Sequence, residues 1–324
     1  MAKLTARVER YETALPFVIA RGPKLGVEVI VAEAREGEVT GVGEGTPIYY
    51  RGEMSGSVAE AIAELGEIGS RAELQQRLGP GAARNAVDCA LWSLEARQKG
   101  VAVWQLAGLA GLEPVITAYT ISLGDPAAIE AAARSAAGRP CLKIKLGGDG
   151  GDRDRVAAVQ RAAPGAKLIA DANEAWMTLD IAAEAAALAA LGVSLIEQPV
   201  PAGREDLLDG VDSPVPLCAD ESLHTRADLD RCAGRFQAIN IKLDKAGGLT
   251  EALALKAEAE TRGMKVMIGC MLSTSLAIAP ALIAAQGAGW ADLDGPLLLA
   301  ADRAGGLTFS DDGRVHPGSA ALWG

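Results

Sequence analysis

The stretch CLKIKLGG, residues 141–148, sets Lys143 and Lys145 two positions apart, with Leu142, Ile144 and Leu146 interleaved. On a β-strand, residues i and i+2 share a face. Two ammonium groups therefore stand side by side while the apolar residues take the other face. Like charges this close repel, so a strand in mid-chain keeps them only if something opposes them. The stretch also shows the unit from which the fold is read: a short apolar run, a charged end, a turn and then an Ala-rich helical run.

That unit recurs. From about residue 115, apolar runs alternate with Ala/Leu-rich helical runs: VITAYTIS, CLKIKL, KLIAD, VSLIEQ, VPLCAD, AINIKL, KVMIGC and WADLDG. Alternating strand and helix predicts a parallel sheet, and eight such units predict a (β/α) barrel. A doubly wound sheet is the alternative, but no GxGxxG follows a first strand. Charged residues end the runs in step: Lys145, Asp171 in IADAN, Glu197 in LIEQP, Asp220 in LCADES and Lys242 in INIKLDK. They recur at roughly 22–26 residues, the length of one strand, loop, helix and loop.

In a barrel the C-terminal strand ends converge on one mouth, where active sites lie. One acid at a strand end is ordinarily a helix cap, and one Lys-x-Lys is ordinarily a solvated edge. Five charged ends in register point to a site instead. Three carboxylates on adjacent strands repel unless a cation joins them. Oxygen ligands without His or Cys suit Mg²⁺ or Mn²⁺. Lysines flank the acids one strand before and one strand after, so acids and an anionic substrate balance the paired ammonium groups. Crowding and desolvation are expected to lower a lysine pKa, with Lys143 and the metal helping Lys145 to act as a base.

Composition bounds the rest. A net charge of −11 argues against nucleic acid and anionic membranes as partners. The N-terminus lacks the apolar core of a signal peptide, and no run reaches the roughly 18 apolar residues of a membrane span. The five cysteines are scattered without CxxC, which predicts a reduced, cytoplasmic protein. With only His224 and His316 in the chain, a His-rich zinc site is excluded. Residues 1 to about 50 read as strands, with VEVIVAEA and EVTGVGEG joined by the charged turn REGE. Residues from about 56 to 109 read as helices, giving an α+β unit. The tail from 298 carries no barrel-type helix and is expected to return to the N-terminal unit. GGDGGDRDR, 147–155, lacks the EF-hand Glu and the P-loop Lys and reads as a solvated turn into a helix.

These residues resemble the enolase superfamily, its muconate-lactonizing subgroup and, more narrowly, the L-Ala-D/L-Glu dipeptide epimerases. The resemblance runs through PFVIARG, GAARNAVDCALW, KIKL, DANEAW, EQPVPA, CADESLHT, INIKLDKAGGLTEALAL, GCMLSTS and ADLDGP, essentially the whole chain. It implies an α/β fold: a (β/α)₇β TIM-like barrel over 115–297, an α+β capping domain over 1–114, and a tail, 298–324, that completes the cap. It implies Mg²⁺, or Mn²⁺, on Asp171, Glu197 and Asp220. Lys145 and Lys242 match the acid/base pair, and Lys143 the lysine that holds the substrate carboxylate.

Asp292 and Asp294, again i and i+2, suit a free α-ammonium. Arg21 matches a capping-loop arginine for a glutamate side chain. The implied reaction is inversion of the α-carbon of the C-terminal residue of L-Ala-L-Glu or L-Ala-D-Glu through an enediolate, in murein peptide recycling. The partner is thus a small-molecule dipeptide, with room for a homo-oligomer. The rivals are an N-acylamino acid racemase, an o-succinylbenzoate synthase or cycloisomerase, and a non-catalytic metal-binding barrel. Trp176, Tyr50 and His224 are read as packing or neighbours of the pocket.

Overall fold

The computed structural model describes all 324 residues. Four antiparallel strands open the chain: β1 (Ala2–Ile19), β2 (Gly22–Glu36), β3 (Val39–Gly45) and β4 (Glu67–Ile68), in the order β3-β2-β1-β4. The turn between β2 and β3 falls at Gly37, whose φ of 61° suits glycine. β1 and β2 form a long hairpin, with a register shift between Glu12 and Phe17, and its tip carries Arg21.

The helices α1 (Ser55–Leu65), α2 (Arg71–Arg77) and α3 (Ala82–Lys99) follow. Glycines alternate along β3 for a steric reason. A Cβ on Gly41, Gly43 or Gly45 would lie 2.1–2.3 Å from backbone oxygens of α3. Only a bare strand face lets that helix lie so close.

β5 (Val115–Ile116) leads to eight parallel strands: β6 (Tyr119–Ile121), β7 (Cys141–Lys145), β8 (Lys167–Asp171), β9 (Val193–Glu197), β10 (Leu217–Ala219), β11 (Ala238–Lys242), β12 (Lys265–Gly269) and β13 (Trp290–Asp292). They lie in sequence order, and the Ala118 N–H donates to the Ala291 carbonyl at 2.8 Å, joining the first strand to the last. The eight runs expected from sequence are these eight strands.

Inside, alternation along each strand builds layers. Ala118, Cys141, Ile169, Leu195, Cys218, Ala238 and Met267 pack as a buried floor. Two residues further along β7 to β10, the same inward face carries Lys143, Asp171, Glu197 and Asp220. The opening pair of lysines thus stands over an apolar floor, facing acids.

The tail lies against β1, β3 and α3. The Ala300 N–H bonds the Glu12 carbonyl at 2.8 Å, and Arg303 pairs with Glu9 and Glu44 at 2.6 and 3.0 Å. The Trp323 indole N–H reaches the Cys89 carbonyl at 3.1 Å. β14 (Arg314–Val315) pairs with β5. A second seam joins α3 to the segment just after β11. Arg84 donates to the Ala246 and Gly247 carbonyls at 2.6 and 3.1 Å, and Asn85 to Asp244 at 2.7 Å. Asp88 accepts from the Thr250 N–H and hydroxyl at 2.9 and 2.7 Å. No helix is long and apolar enough to cross a membrane.

Candidate active site

Register brings the acids together. Lys145 is aligned with Asp171, and Asp171 with Glu197, across three neighbouring strands. Lys242, Gly269 and Asp292 align in the same way on the opposite arc. In a ring of eight, β7 and β11 are four strands apart, so Lys145 and Lys242 face each other across the mouth. β9 and β13 are also four apart, which sets Glu197 opposite Asp292. The two axes cross: lysine to lysine one way, carboxylate triad to acidic pair the other.

The contacts are tight and dry. The Lys145 ammonium lies 2.6 Å from Asp171 Oδ2, and that of Lys242 lies 2.7 Å from Asp220 Oδ2. Lys143, 1% exposed, sits among Glu197, Asp292 and Asp171 at 2.6, 2.7 and 3.1 Å. Burial would lower the Lys143 pKa, but Asp171, Asp292 and Glu197 hold it well above the ordinary value. Lys242 behaves alike: burial lowers it, and Asp220 and Glu197 more than reverse that.

Crowding by other cations therefore does not depress these two. Paired carboxylates outweigh the neighbouring cations. The opposite holds at Lys24, in the capping hairpin. Burial, then Lys145, Lys242 and Arg21, bring Lys24 down to about 7. No carboxylate pairs with it; its ammonium stands 3.5 Å from the centre of the Tyr49 ring.

The acids show what the site lacks in counter-charge. Burial and then Asp171 push Glu197 up to about 8. Burial would also raise Asp171 and Asp220, but lysines 143 and 145 hold the first, and 242 and 245 the second, below the usual range. Glu197 Oε2 lies within ion-pair distance of Lys143, yet the angle makes no hydrogen bond and the oxygen is orphaned. Five of the nine buried side-chain atoms without a hydrogen-bond partner belong here: Tyr50 Oη, Asn173 Oδ1, Glu197 Oε2, Glu221 Oε2 and Asp292 Oδ1. Such a concentration marks a place for a polar ligand. No three acids close around a common point by themselves, because Lys143 reaches into their centre. A hard, all-oxygen triad with an orphaned carboxylate oxygen fits Mg²⁺ or Mn²⁺.

Arg21 lines the pocket, but its guanidinium is taken. It pairs with Glu221 at 2.7 Å and with Glu174, and lies 5.2 Å from the Tyr50 ring centre. It ties the hairpin tip to the loops after β8 and β10. Lys24, unread in the sequence, is a cation at the pocket with no carboxylate partner; it follows Arg21 by three residues, a weak signal before the hairpin is folded. Asp294 accepts from the Thr120 N–H at 2.7 Å, and burial and then Asp292 push it up to about 7.

Of the neighbours, Tyr50 lines the pocket. Trp176 is fully buried on Asp152, and His224 accepts from Arg51 at 3.0 Å. The glycine-rich turn does lead into a helix. It is less solvated than expected: Asp152 is 2% exposed and accepts from the Gly147 and Gly148 N–H groups at 2.9 Å.

A parallel barrel with three carboxylates on one side of its mouth and a lysine on each flank is the framework of an acid–base enzyme that works beside a carboxylate. Residues 1–108 match the family described as mandelate racemase / muconate lactonizing enzyme, N-terminal domain, and residues 127–319 match enolase C-terminal domain-like proteins. The chain belongs to the mandelate racemase and muconate-lactonizing branch of the enolase superfamily.

An L-Ala-D/L-Glu epimerase of Escherichia coli K12 is 44% identical over 318 residues, 95% of this chain and 97% of that one. An N-acetyl-D-glutamate racemase of a Pseudoalteromonas species is 45% identical over 256 residues, 78% of this chain and 79% of the other. A solved structure from Agrobacterium tumefaciens, an enolase-family member with homology to dipeptide epimerases holding sodium and L-Ala-L-Glu, superposes with a TM-score of 0.95. It is 47% identical and both chains are fully covered. A dipeptide epimerase of Enterococcus faecalis with Mg and L-Leu-L-Tyr superposes at 0.91, with 30% identity and 99% and 98% coverage.

Proposed function

We propose that the chain is a Mg²⁺-dependent dipeptide epimerase that inverts the α-carbon of the C-terminal residue of L-Ala-L-Glu and L-Ala-D-Glu. The observation that carries the reading is the diametric placement of Lys145 and Lys242, with the acid triad between them on one arc. It is supported by the relatives named above. Mn²⁺ is the alternative ion, and murein-peptide recycling the setting that goes with this substrate.

In this reading Asp171, Glu197 and Asp220 hold the ion, which supplies positive charge to the substrate carboxylate when bound. Lys143 adds an ammonium beside that carboxylate. An α-proton there is weakly acidic, because its removal adds negative charge to a group already anionic; cations placed where that charge develops lower the barrier. One lysine takes the proton from one face of the carbon and the other returns one to the opposite face. Asp292 and Asp294, across from Glu197, meet the dipeptide ammonium. Lys24 meets the glutamate side-chain carboxylate, while Arg21 anchors the hairpin over the mouth. The test is NMR of each pure epimer in D₂O: both are expected to exchange the α-proton and interconvert. Inertness of both with Mg²⁺ present would overturn the reading.

The similarity to an N-acetyl-D-glutamate racemase favours a second reading, racemisation of N-acylated glutamate. The acidic pair separates the two. Asp294→Ala leaves an ammonium without its partner, and truncating one member of a buried charged pair costs about 2–5 kcal/mol. Turnover of L-Ala-L-Glu is expected to fall accordingly while that of N-acetyl-L-Glu holds or rises. A wild-type preference for the N-acetyl substrate would reverse the order of the readings.

Lys24 gives a pH signature. With its pKa lowered to about 7, its ammonium is charged below that value and neutral above it. The kcat/KM ratio of L-Ala-L-Glu to the uncharged analogue L-Ala-L-Gln is therefore expected to fall as pH rises above neutrality. Lys24→Arg keeps its charge and is expected to flatten the profile. A ratio independent of pH in both proteins would remove Lys24 from the substrate's acidic end.

A further inference from the structure

The three triad carboxylates share a pattern beyond their common neighbours. Each uses one oxygen on the protein and turns the other to the mouth. Asp171 Oδ1 accepts from the Asn173 N–H at 3.0 Å. Glu197 Oε1 accepts from the Asn240 side-chain amide at 2.7 Å. Asp220 Oδ1 accepts from the Lys245 ammonium at 2.6 Å. The mouth-facing oxygens are Asp171 Oδ2, Glu197 Oε2 and Asp220 Oδ2, the same atoms that lie 2.6–2.7 Å from Lys145, Lys143 and Lys242. Three donors of three kinds, a backbone amide, a neutral side-chain amide and an ammonium, reach the same result.

The two side-chain donors are firmly held. Asn240 is fully buried and lies two residues before Lys242 on the inward face of β11. Room for its amide exists because residue 269 on β12 is glycine; a Cβ there would come 2.5 Å from Asn240 Oδ1. Lys245, 1% exposed, also meets the carbonyls of Asp220, Leu223 and Asn240 at 2.5, 2.9 and 3.0 Å. Neither residue reaches the pocket surface, so neither touches substrate.

Ions differ in what they ask of such a site. Ca²⁺ takes six to eight oxygens, often two from one carboxylate, while Mg²⁺ demands six near-octahedral ligands and keeps several as water. A carboxylate with one oxygen already bonded offers the ion a single ligand. We propose that Asn240 and Lys245 are the cation-selectivity residues of this site: by occupying one oxygen each of Glu197 and Asp220 they hold both to single-oxygen ligation and favour Mg²⁺ or Mn²⁺ over Ca²⁺. The proposal rests on the metal-binding reading of the triad. Asn240 and Lys245 act as positioning residues, through the ligands.

The test is calorimetric titration of the metal-stripped full-length protein with Mg²⁺, Mn²⁺ and Ca²⁺, without substrate. Wild type is expected to bind Mg²⁺ or Mn²⁺ more tightly than Ca²⁺. Asn240→Leu, close in size and without a donor, frees Glu197 Oε1. It is expected to narrow the Mn²⁺-to-Ca²⁺ preference at least about tenfold, within the range usual for groups that orient metal ligands. Asn240→Ser, too short to reach Glu197, is the second variant should the leucine protein not fold, and Lys245→Met the parallel probe of Asp220. Equal loss for all ions, with the preference unchanged, would overturn the proposal and leave the metal site standing. Binding of no divalent ion by wild type would overturn both.

Discussion

Lys145→Ala is expected to exchange the α-proton of L-Ala-L-Glu with solvent and yet barely convert it to the other epimer. The reason is the half-turn between β7 and β11. With one lysine gone, the other still removes the proton that faces it. No donor remains on the far side, so the proton returns where it left. Lys242→Ala is expected to show the mirror image, exchanging L-Ala-D-Glu alone. This assignment follows the proposal that Lys145 serves the D configuration and Lys242 the L. A positioned acid or base contributes roughly 10²–10⁴-fold, so epimerisation is expected to fall at least that far in each variant. NMR of both pure epimers in D₂O with both variants gives the full set. Exchange of the same epimer by both, or near-wild-type epimerisation by either, would sink the two-base mechanism.

The second large effect is loss of the metal. Exhaustive chelation is expected to abolish turnover, and Mg²⁺ or Mn²⁺ to restore it. A metal beside a developing negative charge is worth several kcal/mol, which is about a hundredfold or more in rate. Glu197→Gln is expected to weaken metal binding, and here stability separates a ligand from a structural acid. The Glu197 carboxyl, raised above its ordinary 4.5 by burial, costs the metal-free protein stability as pH rises through that window. The unfolded chain gives up the proton there and the folded one keeps it. Metal-free Glu197→Gln is thus expected to melt at or above metal-free wild type at pH 8. Added Mg²⁺ is expected to raise the wild-type melting temperature and leave that of the variant nearly unmoved. A metal-free variant that melts far below wild type would identify Glu197 as a fold determinant instead.

The barrel and its triad were legible because one rule, a charged residue at each strand end, repeated in step. Register then did what the spacing implied, aligning Lys145, Asp171 and Glu197. Asn240 was within reach of the same reasoning. It stands two before Lys242, just as Lys143 stands two before Lys145, but an amide draws less notice than a charge. The signs of the lysine shifts were out of reach. They are sums of large effects of burial and neighbours, and only distances say that carboxylates reverse burial at Lys143 and Lys242 while at Lys24 burial prevails, with neighbouring cations adding to it. Arg21 was visible, but its engagement by Glu174 and Glu221 joins residues more than 150 positions apart. No local pattern announces such a contact.

The seam between α3 and residues 244–250 bears on how this enzyme can change. Arg84, Asn85 and Asp88 grip residues 244–250, directly behind Lys242, so the cap is part of the mounting of the lysine proposed as one of the two bases. Exchanging the whole cap for one from a distant relative would unseat that base along with the pocket wall. The hairpin tip around Arg21 and Lys24 lies at the far end of β1 and β2 and is tied by side chains to the loops after β8 and β10, not to the segment behind Lys242. New substrate preference is therefore easiest to acquire there, a few residues at a time, with the chemistry inherited intact.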